Sequence, residues 1–515
     1  MAYPATSAQI EAAMTSIASS APTICKKTAF TNTTVSEGGL GPTTYSFLEI
    51  ANGSGPNRVT ALAVAGMHAR EWAQPDAVIS FATKLVAAYQ SNSAFVIPSY
   101  TEGGKTYGPV SLPAPKVKAL IDTLTILLVP LANPDGRAFS QSSKVIAISQ
   151  WRKNRAPRPS GGNNLSVGVD INRNFDICWD FDVFYTPAFA QSTDLVSSKN
   201  EEDEIFIGKP KAAPNDHRPD NEPEAKNLIS LLTTRPVTFS IDLHSKALKV
   251  MYPWGIEATG TVAAQNFQNT AFDGKRDGPT KSAYSEFFPN AAPTRLKDSH
   301  DTIAKSMRDR IAAATGRTYD VGPVAEKLYA ATGTITDFCF SRQFTVANSP
   351  PIHAFIVEFG DDNDTFQPHP TKANGFAKIE REIHAVLLAF FEAALASVPA
   401  PKASGSGGGG GRGSGTGSGS ESGAGKGSSC FFTVAVSDLL PGIGWLETLG
   451  RGRDVLVGQR WAHGAMLMLD RSYRRLSRLL IPYLIERRWA RRAVARGLVF
   501  PAAAITGLVL KARTR

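Results

Sequence analysis

Residues 401 to 429 are almost wholly Gly and Ser, with no large apolar side chain. Such a stretch stays a flexible coil because it has nothing to bury. It divides the 515-residue chain into a body, residues 1–400, and a segment, residues 430–515, that have to be read separately. The formal charge of +10 divides with it: the body carries 37 Lys and Arg against 39 Asp and Glu, the linker three against one, and the last segment 15 against five. The body is nearly neutral, so any attraction to lipid headgroups, nucleic acid or an acidic protein belongs to the tail.

The chain is 42% hydrophobic and 19% charged, enough apolar matter for a full-sized core. The body has no fixed-period repeat and no apolar run near the ~20 residues of a membrane span. Apolar runs alternate with helical patterns, which predicts an α/β domain with a mixed, mostly parallel sheet flanked by helices. The run ALAVAGM reads as a buried strand stopping at His68, followed by a helix with Val78, Ile79, Ala82, Leu85, Val86 and Tyr89 on one face and Pro75 near its start. The run LTILLVPLAN ends in Asn133-Pro134-Asp135-Gly136, which reads as a turn outside any site. VTFSIDLHS carries His244 and HAFIVEFG carries Glu358. Phe376, Ile379, Ile383, Val386, Leu387, Phe390 and Leu395 recur at helical spacing, and the domain is expected to end near Val398.

In open α/β sheets ligands collect beyond the C-terminal ends of the strands, where His68 and His244 fall. His68 and Glu71 form H-x-x-E, a nitrogen and a carboxylate oxygen for one Zn²⁺ with room for a third ligand and a water. Alone the pair means little: the composition gives roughly 0.7 such pairs by chance, and His217 with Asp220 is a second. A lone His beside a strand is more often structural than a ligand, arginines are usually solvated, and a carboxylate such as Glu358 among apolar neighbours can be purely structural. The first pair gains weight from its company, in order along the chain: HAREW (68–72), NPDGR (133–137), WRKNR (151–155), GVDINRNFD (168–176), DLHS (242–245) and VEFG (357–360).

This ordered set resembles the zinc carboxypeptidases of the carboxypeptidase A and B family, from about Phe30 to Val398. The resemblance implies a carboxypeptidase-like sheet in which His68, Glu71 and His244 bind one Zn²⁺ per chain and Asp170 orients a ligand imidazole. It implies Glu358 as general base and Arg152 as the cation facing the developing oxyanion. Asn172 and Arg173 match the residues that grip the substrate's terminal carboxylate, with Tyr329 as a phenolic lid. Arg70 matches a contact to the peptide backbone further in, so that Arg70, Arg152 and Arg173 form three aligned cations steering an anionic C-terminus. Gly255, Val324, Ile335 and Thr336 fall near the positions lining the side-chain pocket; none is charged, which points to apolar or aromatic terminal residues. Longer connections around residues 93–118, 176–220 and 256–300 depart from the family and would reshape the cleft mouth.

The expected function is a zinc metallocarboxypeptidase acting on the C-terminal bond of peptides or proteins. Two alternatives use the same scaffold: a zinc amidohydrolase for an N-acyl amino acid or a cell-wall peptide, and an inactive peptide-binding module. The joint presence of Asn172, Arg173 and Tyr329 speaks against the first, and the intact ligand set and base against the second.

Four cysteines, Cys25, Cys178, Cys339 and Cys430, lie far apart without a C-x-x-C pair, which supports neither a zinc ribbon nor a dense disulfide framework and leaves one internal bridge open. The first residues have no basic group before Lys26 and no continuous apolar stretch, so no secretory signal is expected and the cytoplasm is the default compartment. In residues 430–515, RSYRRLSRLL and ERRWARRAVAR interleave arginine with large apolar residues, as in a basic amphipathic helix. A membrane surface is its first expected partner and a protein the second; no nucleic-acid-binding pattern is present. The run from Gly497 to Leu510, interrupted by Pro501, is short for a span and reads as interfacial. The Cys430-Phe431 start resembles small Cys-Phe-Ile-box C-terminal domains of some bacterial surface proteins, from which Phe432 departs. The oligomeric state has no sequence signal.

Overall fold

A computed structural model describes residues 2–398 apart from short loops at 38–42, 56–57, 158–161, 214–215, 293–294, 362–364 and 373–374. The expected linker 401–429 and basic segment 430–515 lie outside the described residues.

Eight strands form one sheet: β1 (Cys25–Ala29), β2 (Ser46–Ile50), β3 (Val59–Ala65), β4 (Leu124–Val129), β5 (Val237–His244), β6 (Lys249–Tyr252), β7 (Asp320–Pro323) and β8 (His353–Glu358). Their spatial order is β1-β2-β4-β3-β5-β8-β6-β7. The central pairs β4–β3, β3–β5 and β5–β8 are parallel, as is β6–β7, while β1–β2, β2–β4 and β8–β6 are antiparallel. This is the mixed, mostly parallel sheet the alternating pattern predicts.

The longer helices are α1 (Ser7–Ser20), α2 (Ala73–Gln90), α3 (Ala114–Thr123), α4 (Pro134–Gln141), α5 (Pro223–Thr234), α6 (Leu296–Thr315), α7 (Ile335–Thr345) and α8 (Phe376–Ala396). Successive strand residues point to opposite faces, and β5 shows what covers each face. Phe239 meets Phe390 of α8, edge to face with centroids 6.0 Å apart, whereas Ser240 lies 3.6 Å from Cys339 Sγ of α7. The closing helix α8 packs against both α2 and α6. It is therefore buried around much of its circumference, with Ile383, Val386, Leu387, Leu388, Phe390 and Phe391 all inaccessible. Among the described residues no helix is long and apolar enough to cross a membrane. Cys25, Cys178 and Cys339 are free thiols, so no disulfide joins them.

The Asn133–Gly136 motif is not the expected free turn. Asn133 caps α4, accepting from Gly136 N–H at 2.9 Å, and Pro134 takes the first helical position, where a missing N–H costs nothing. Its amide also donates to the carbonyls of Met67 (3.0 Å) and Lys153 (3.2 Å), joining three segments that converge on the site.

One histidine completes the sheet where a strand is missing. The pairing of β6 with β8 covers only Ile356–Glu358. Further up β8, the Ala354 N–H donates to His300 Nε2 of α6 at 3.3 Å, and His300 Nδ1 donates to Leu296 O at 2.7 Å.

Candidate metal centre and substrate cleft

β3 ends at Ala65, and Gly66 turns the chain with φ +66, where a Cβ would stand 2.8 Å from Leu131 Cδ1 and Pro75 Cγ. The turn delivers His68 and Glu71 to the C-terminal edge of the sheet, and Ala69 N–H, bonded to Arg152 O at 3.0 Å, brings the arginine segment alongside. On β5 the period of two puts Ser240, Asp242 and His244 on one face. Glu358 ends the neighbouring parallel strand directly opposite His244.

His68, Glu71 and His244 come together fully buried, their candidate ligand atoms all within 4.8 Å of one another. His68 Nδ1 lies 2.8 Å from Glu71 Oε1, and His244 Nδ1 lies 3.0 Å from His68 Nδ1 and 3.1 Å from Glu71 Oε2. Ligands bound tetrahedrally to one Zn²⁺ stand roughly 3.3 Å apart, so the cluster needs little adjustment to hold the ion. Each imidazole turns its other nitrogen to a carboxylate: His68 Nε2 lies 3.4 Å from Asp170 Oδ1 and His244 Nε2 lies 2.5 Å from Asp242 Oδ2. For His244 that outer carboxylate fixes the tautomer whose Nδ1 lone pair faces a metal, whereas His68 Nε2 approaches Asp170 without a hydrogen bond. Burial alone would raise the Glu71 carboxyl, but His68 and His244 hold it well below the usual carboxylate range. Burial opposes protonation of His244, yet Asp242 and Glu71 raise it well above its ordinary value. The same negative charges favour a bound cation in place of that proton.

The arginines are placed less openly than three bare cations. Arg152 Nε donates to Asp170 Oδ2 at 2.8 Å. Arg173 donates to the carbonyls of Val196 (2.6 Å) and Asn172 (2.7 Å) and lies 5.7 Å from the centroid of the Tyr329 ring. Arg70 is engaged in a two-pronged pair with Glu204, at 2.8 and 3.3 Å, and stacks 4.4 Å from the Phe366 centroid. Of the three cations expected to steer an anionic C-terminus, two thus already face a carboxylate. Yet Arg152 Nη2 and Arg173 Nη2 are buried without a hydrogen-bond partner, as are Arg70 Nε and Glu358 Oε2. Burial pushes the Glu358 carboxyl up to about 7; His244 and Arg152 pull it down, Glu71 and Asp242 push it up.

Asn172, expected to reach for substrate, is committed inside the protein. Its Nδ2 donates to Asp242 Oδ2 at 3.1 Å and its Oδ1 accepts from Ile335 N–H at 3.0 Å. In the expected pocket Gly255 is closely packed: a Cβ there would lie 3.2 Å from Asp337 Oδ2 and 3.3 Å from Val324 Cγ1. Val324, Ile335 and Thr336 are buried. Asp337 is a carboxylate at this floor that the sequence did not bring forward. It accepts the Gly255 N–H at 2.9 Å, and burial pushes its carboxyl up to about 7. The second missed residue is Asp242; its signal was the alternation S-I-D-L-H, which puts it on the His244 face.

Two histidines and a carboxylate, buried together beyond the ends of parallel strands with a further carboxylate at the neighbouring strand end, form a cluster that could hold one metal ion. The chain belongs to the zinc carboxypeptidase family, whose sequence model matches residues 10–383. It is 24% identical over 296 residues to carboxypeptidase A4 of Mus musculus, covering 57% of this chain and 51% of that protein. It is 26% identical over 277 residues to carboxypeptidase A2 of Rattus norvegicus, covering 54% and 46%. The chain thus spans about half the length of the curated relatives it matches. Among solved structures, carboxypeptidase A from Helicoverpa armigera superposes with a TM-score of 0.51 at 19% identity, covering 76% of this chain and 74% of that one. Bovine thrombin-activatable fibrinolysis inhibitor, in complex with tick carboxypeptidase inhibitor, gives 0.51 at 15%, covering 76% and 98%. At these identities the likeness is one of fold.

Proposed function

We propose that this chain is a zinc metallocarboxypeptidase that hydrolyses the last peptide bond of peptides or proteins. The observation that carries the reading is that the unpartnered buried atoms include Nη2 of Arg152, Nη2 of Arg173 and Oε2 of Glu358, on segments that converge on one ligand cluster. Buried donors and acceptors are normally paired, and a substrate with a carbonyl, a terminal carboxylate and an attacking water supplies the missing partners.

Zinc held by His68, Glu71 and His244 would supply the positive charge that polarises an amide carbonyl and acidifies a water. Glu358, raised toward neutrality by burial, takes the water's proton and delivers it to the leaving amine. Arg152, held in place through Nε by Asp170, directs its free Nη2 at the oxygen that becomes negative. Arg173 receives the terminal carboxylate through Nη2, with Tyr329 over the guanidinium. Asn172 supports this grip by its fixed amide more than by direct donation. Gly255, Val324, Ile335 and Thr336 hold the terminal side chain. Asp337 is engaged with the Gly255 N–H and driven toward its neutral form, which favours apolar or aromatic residues there. Residues 430–515, with their excess of arginine, are proposed to meet an anionic membrane surface.

The test is release of the last residue from N-blocked dipeptides ending in Phe, Leu, Lys or Glu by the full chain, with and without a zinc chelator. Chelator-sensitive release, fastest for Phe or Leu, is expected. One equivalent of bound zinc with no release from any of them overturns the proposal in favour of another amide.

A further inference from the structure

Asp242 lies on β5 two residues before His244, on the same strand face, and is 1% exposed. Its Oδ2 serves two groups at once, His244 Nε2 at 2.5 Å and Asn172 Nδ2 at 3.1 Å. Asn172 passes the connection on, accepting from the backbone N–H of Ile335, the first residue of α7. Two positions further, Asp337 holds the Gly255 N–H. Hydrogen bonds and the first turn of α7 together therefore link a metal-ligand candidate to the wall of the expected pocket. Asp170 also meets Asn172, through the backbone: its carboxylate faces His68 at 3.4 Å and Arg152 at 2.8 Å, and its Oδ1 accepts the Asn172 N–H at 3.0 Å.

A carboxylate only accepts, so it imposes orientation on both neighbours. It draws the proton of His244 to Nε2 and leaves Nδ1 as the lone pair toward the cluster. It also turns the Asn172 amide so that NH₂ faces Asp242 and the carbonyl oxygen faces Ile335. Without the charge, the imidazole loses its tautomer lock and the amide loses the reason to present its oxygen to Ile335. We infer that Asp242 is a positioning residue that couples zinc binding to the substrate pocket, through His244 on one side and Asn172 on the other. The inference rests on the carboxypeptidase reading above. By linkage, what loosens one end weakens the other.

The experiment uses the full chain as wild type, D242N, D242A, N172A and the D242A/N172A double variant, with thermal melts to confirm folding. Zinc affinity is read by competition with a chromophoric chelator. Affinity for a product-like N-acetylphenylalanine is read by calorimetry at saturating zinc. D242A is expected to weaken zinc roughly 10- to 100-fold and also to weaken the N-acetyl amino acid. D242N, which keeps the shape and loses the charge, falls between it and wild type and stands in for D242A if that variant fails to fold. N172A weakens the N-acetyl amino acid and, by the same linkage, zinc to a smaller degree, and the double variant binds the N-acetyl amino acid no worse than N172A alone, the non-additivity of residues acting through one another. Weakened zinc with unchanged affinity for the N-acetyl amino acid, or additive losses in the double variant, overturns the coupling. Unchanged zinc affinity in D242A overturns the positioning role altogether. Wild type that holds zinc and takes no N-acetyl amino acid overturns the carboxypeptidase reading, and with it the substrate half of this inference.

Discussion

Glu358 is the register partner of His244 across the parallel pair β8 and β5, so carboxylate and imidazole leave the sheet on the same face at neighbouring strand ends. Adjacent strands lie ~4.8 Å apart, close enough for the two to share an electrostatic environment without Glu358 joining the ligand set. Glu358→Gln should abolish release of C-terminal residues while zinc stoichiometry, read by metal analysis, stays at one. Wild-type kcat/KM should fall as pH drops through the carboxyl's pKa, because only the ionised form accepts a proton. Burial sets that limit at about 7 in the bare protein, and a bound cation beside it can only lower it. A rate that keeps rising below pH 5 contradicts Glu358 as the base.

Arg152→Lys keeps a charge and loses the planar fork that lets Nε hold Asp170 while Nη2 stays free. A loss of about 10²–10³ in kcat is expected, the size seen when one oxyanion donor is removed, with zinc affinity nearly unchanged. Arg173→Lys should instead appear mainly in KM. Steady-state kinetics of both variants on one N-blocked dipeptide separates the two arginines; equal effects on kcat and KM in each would merge their roles.

Glu204 is more than half exposed while Arg70, its partner, is mostly covered. Such a pair adds about 0–1 kcal/mol to stability, so Glu204→Gln should leave the melting temperature nearly unchanged. It should, however, release the Arg70 guanidinium. Peptides with an acidic residue before the scissile bond should then be cleaved faster relative to those with alanine there, and the gain should shrink with added salt. The ratio of kcat/KM values for the two peptides at low and high salt is the measurement.

Buried carboxyls outside the proposed chemistry, Glu224, Glu257 and Glu286 among them, shape the alkaline behaviour. Burial pushes Glu257 up to about 9 and Glu286 up to about 8, the latter eased by Arg276. An unfolded Glu titrates near 4.3, so the folded state holds these protons after the unfolded chain has lost them. Their contribution to stability is complete below about pH 4.3. It declines as pH rises and is gone once pH passes the folded values, 8 and 9. Glu257→Gln should flatten the fall in melting temperature between pH 6 and 9.5; an equally steep fall in the variant would remove Glu257 as its cause.

What could be read from the sequence was what rests on local spacing. H-x-x-E, the strand-end His244 and Glu358, and the 3.6-residue recurrence in α8 each need only a few neighbouring positions. The motif at Asn133 misled because Asn-Pro-Asp-Gly suits both a free turn and a capped helix start. Contacts 66 residues away at Met67 and 20 away at Lys153 accompany the second outcome. Glu204 sits 134 residues from Arg70 and Asp337 82 from Gly255. No periodicity announces pairs at such distances, and the same holds for Asn172, whose amide is oriented by Asp242 70 residues on.

His300 makes the strand that ends in Glu358 dependent on a ring that functions only while uncharged. Its Nε2 must accept from Ala354, so a proton there would set two donors against each other. Burial, reinforced by neighbouring His353, keeps its pKa well below the ordinary histidine value. An unfolded histidine takes up its proton near pH 6.5, so from there downward the unfolded chain gains a proton that the fold refuses, and acid draws the chain open. Part of the chain's tolerance of acidic surroundings is thus set at the edge of a strand, by a residue outside the candidate ligand cluster, and it can be altered there without changing any of those ligands.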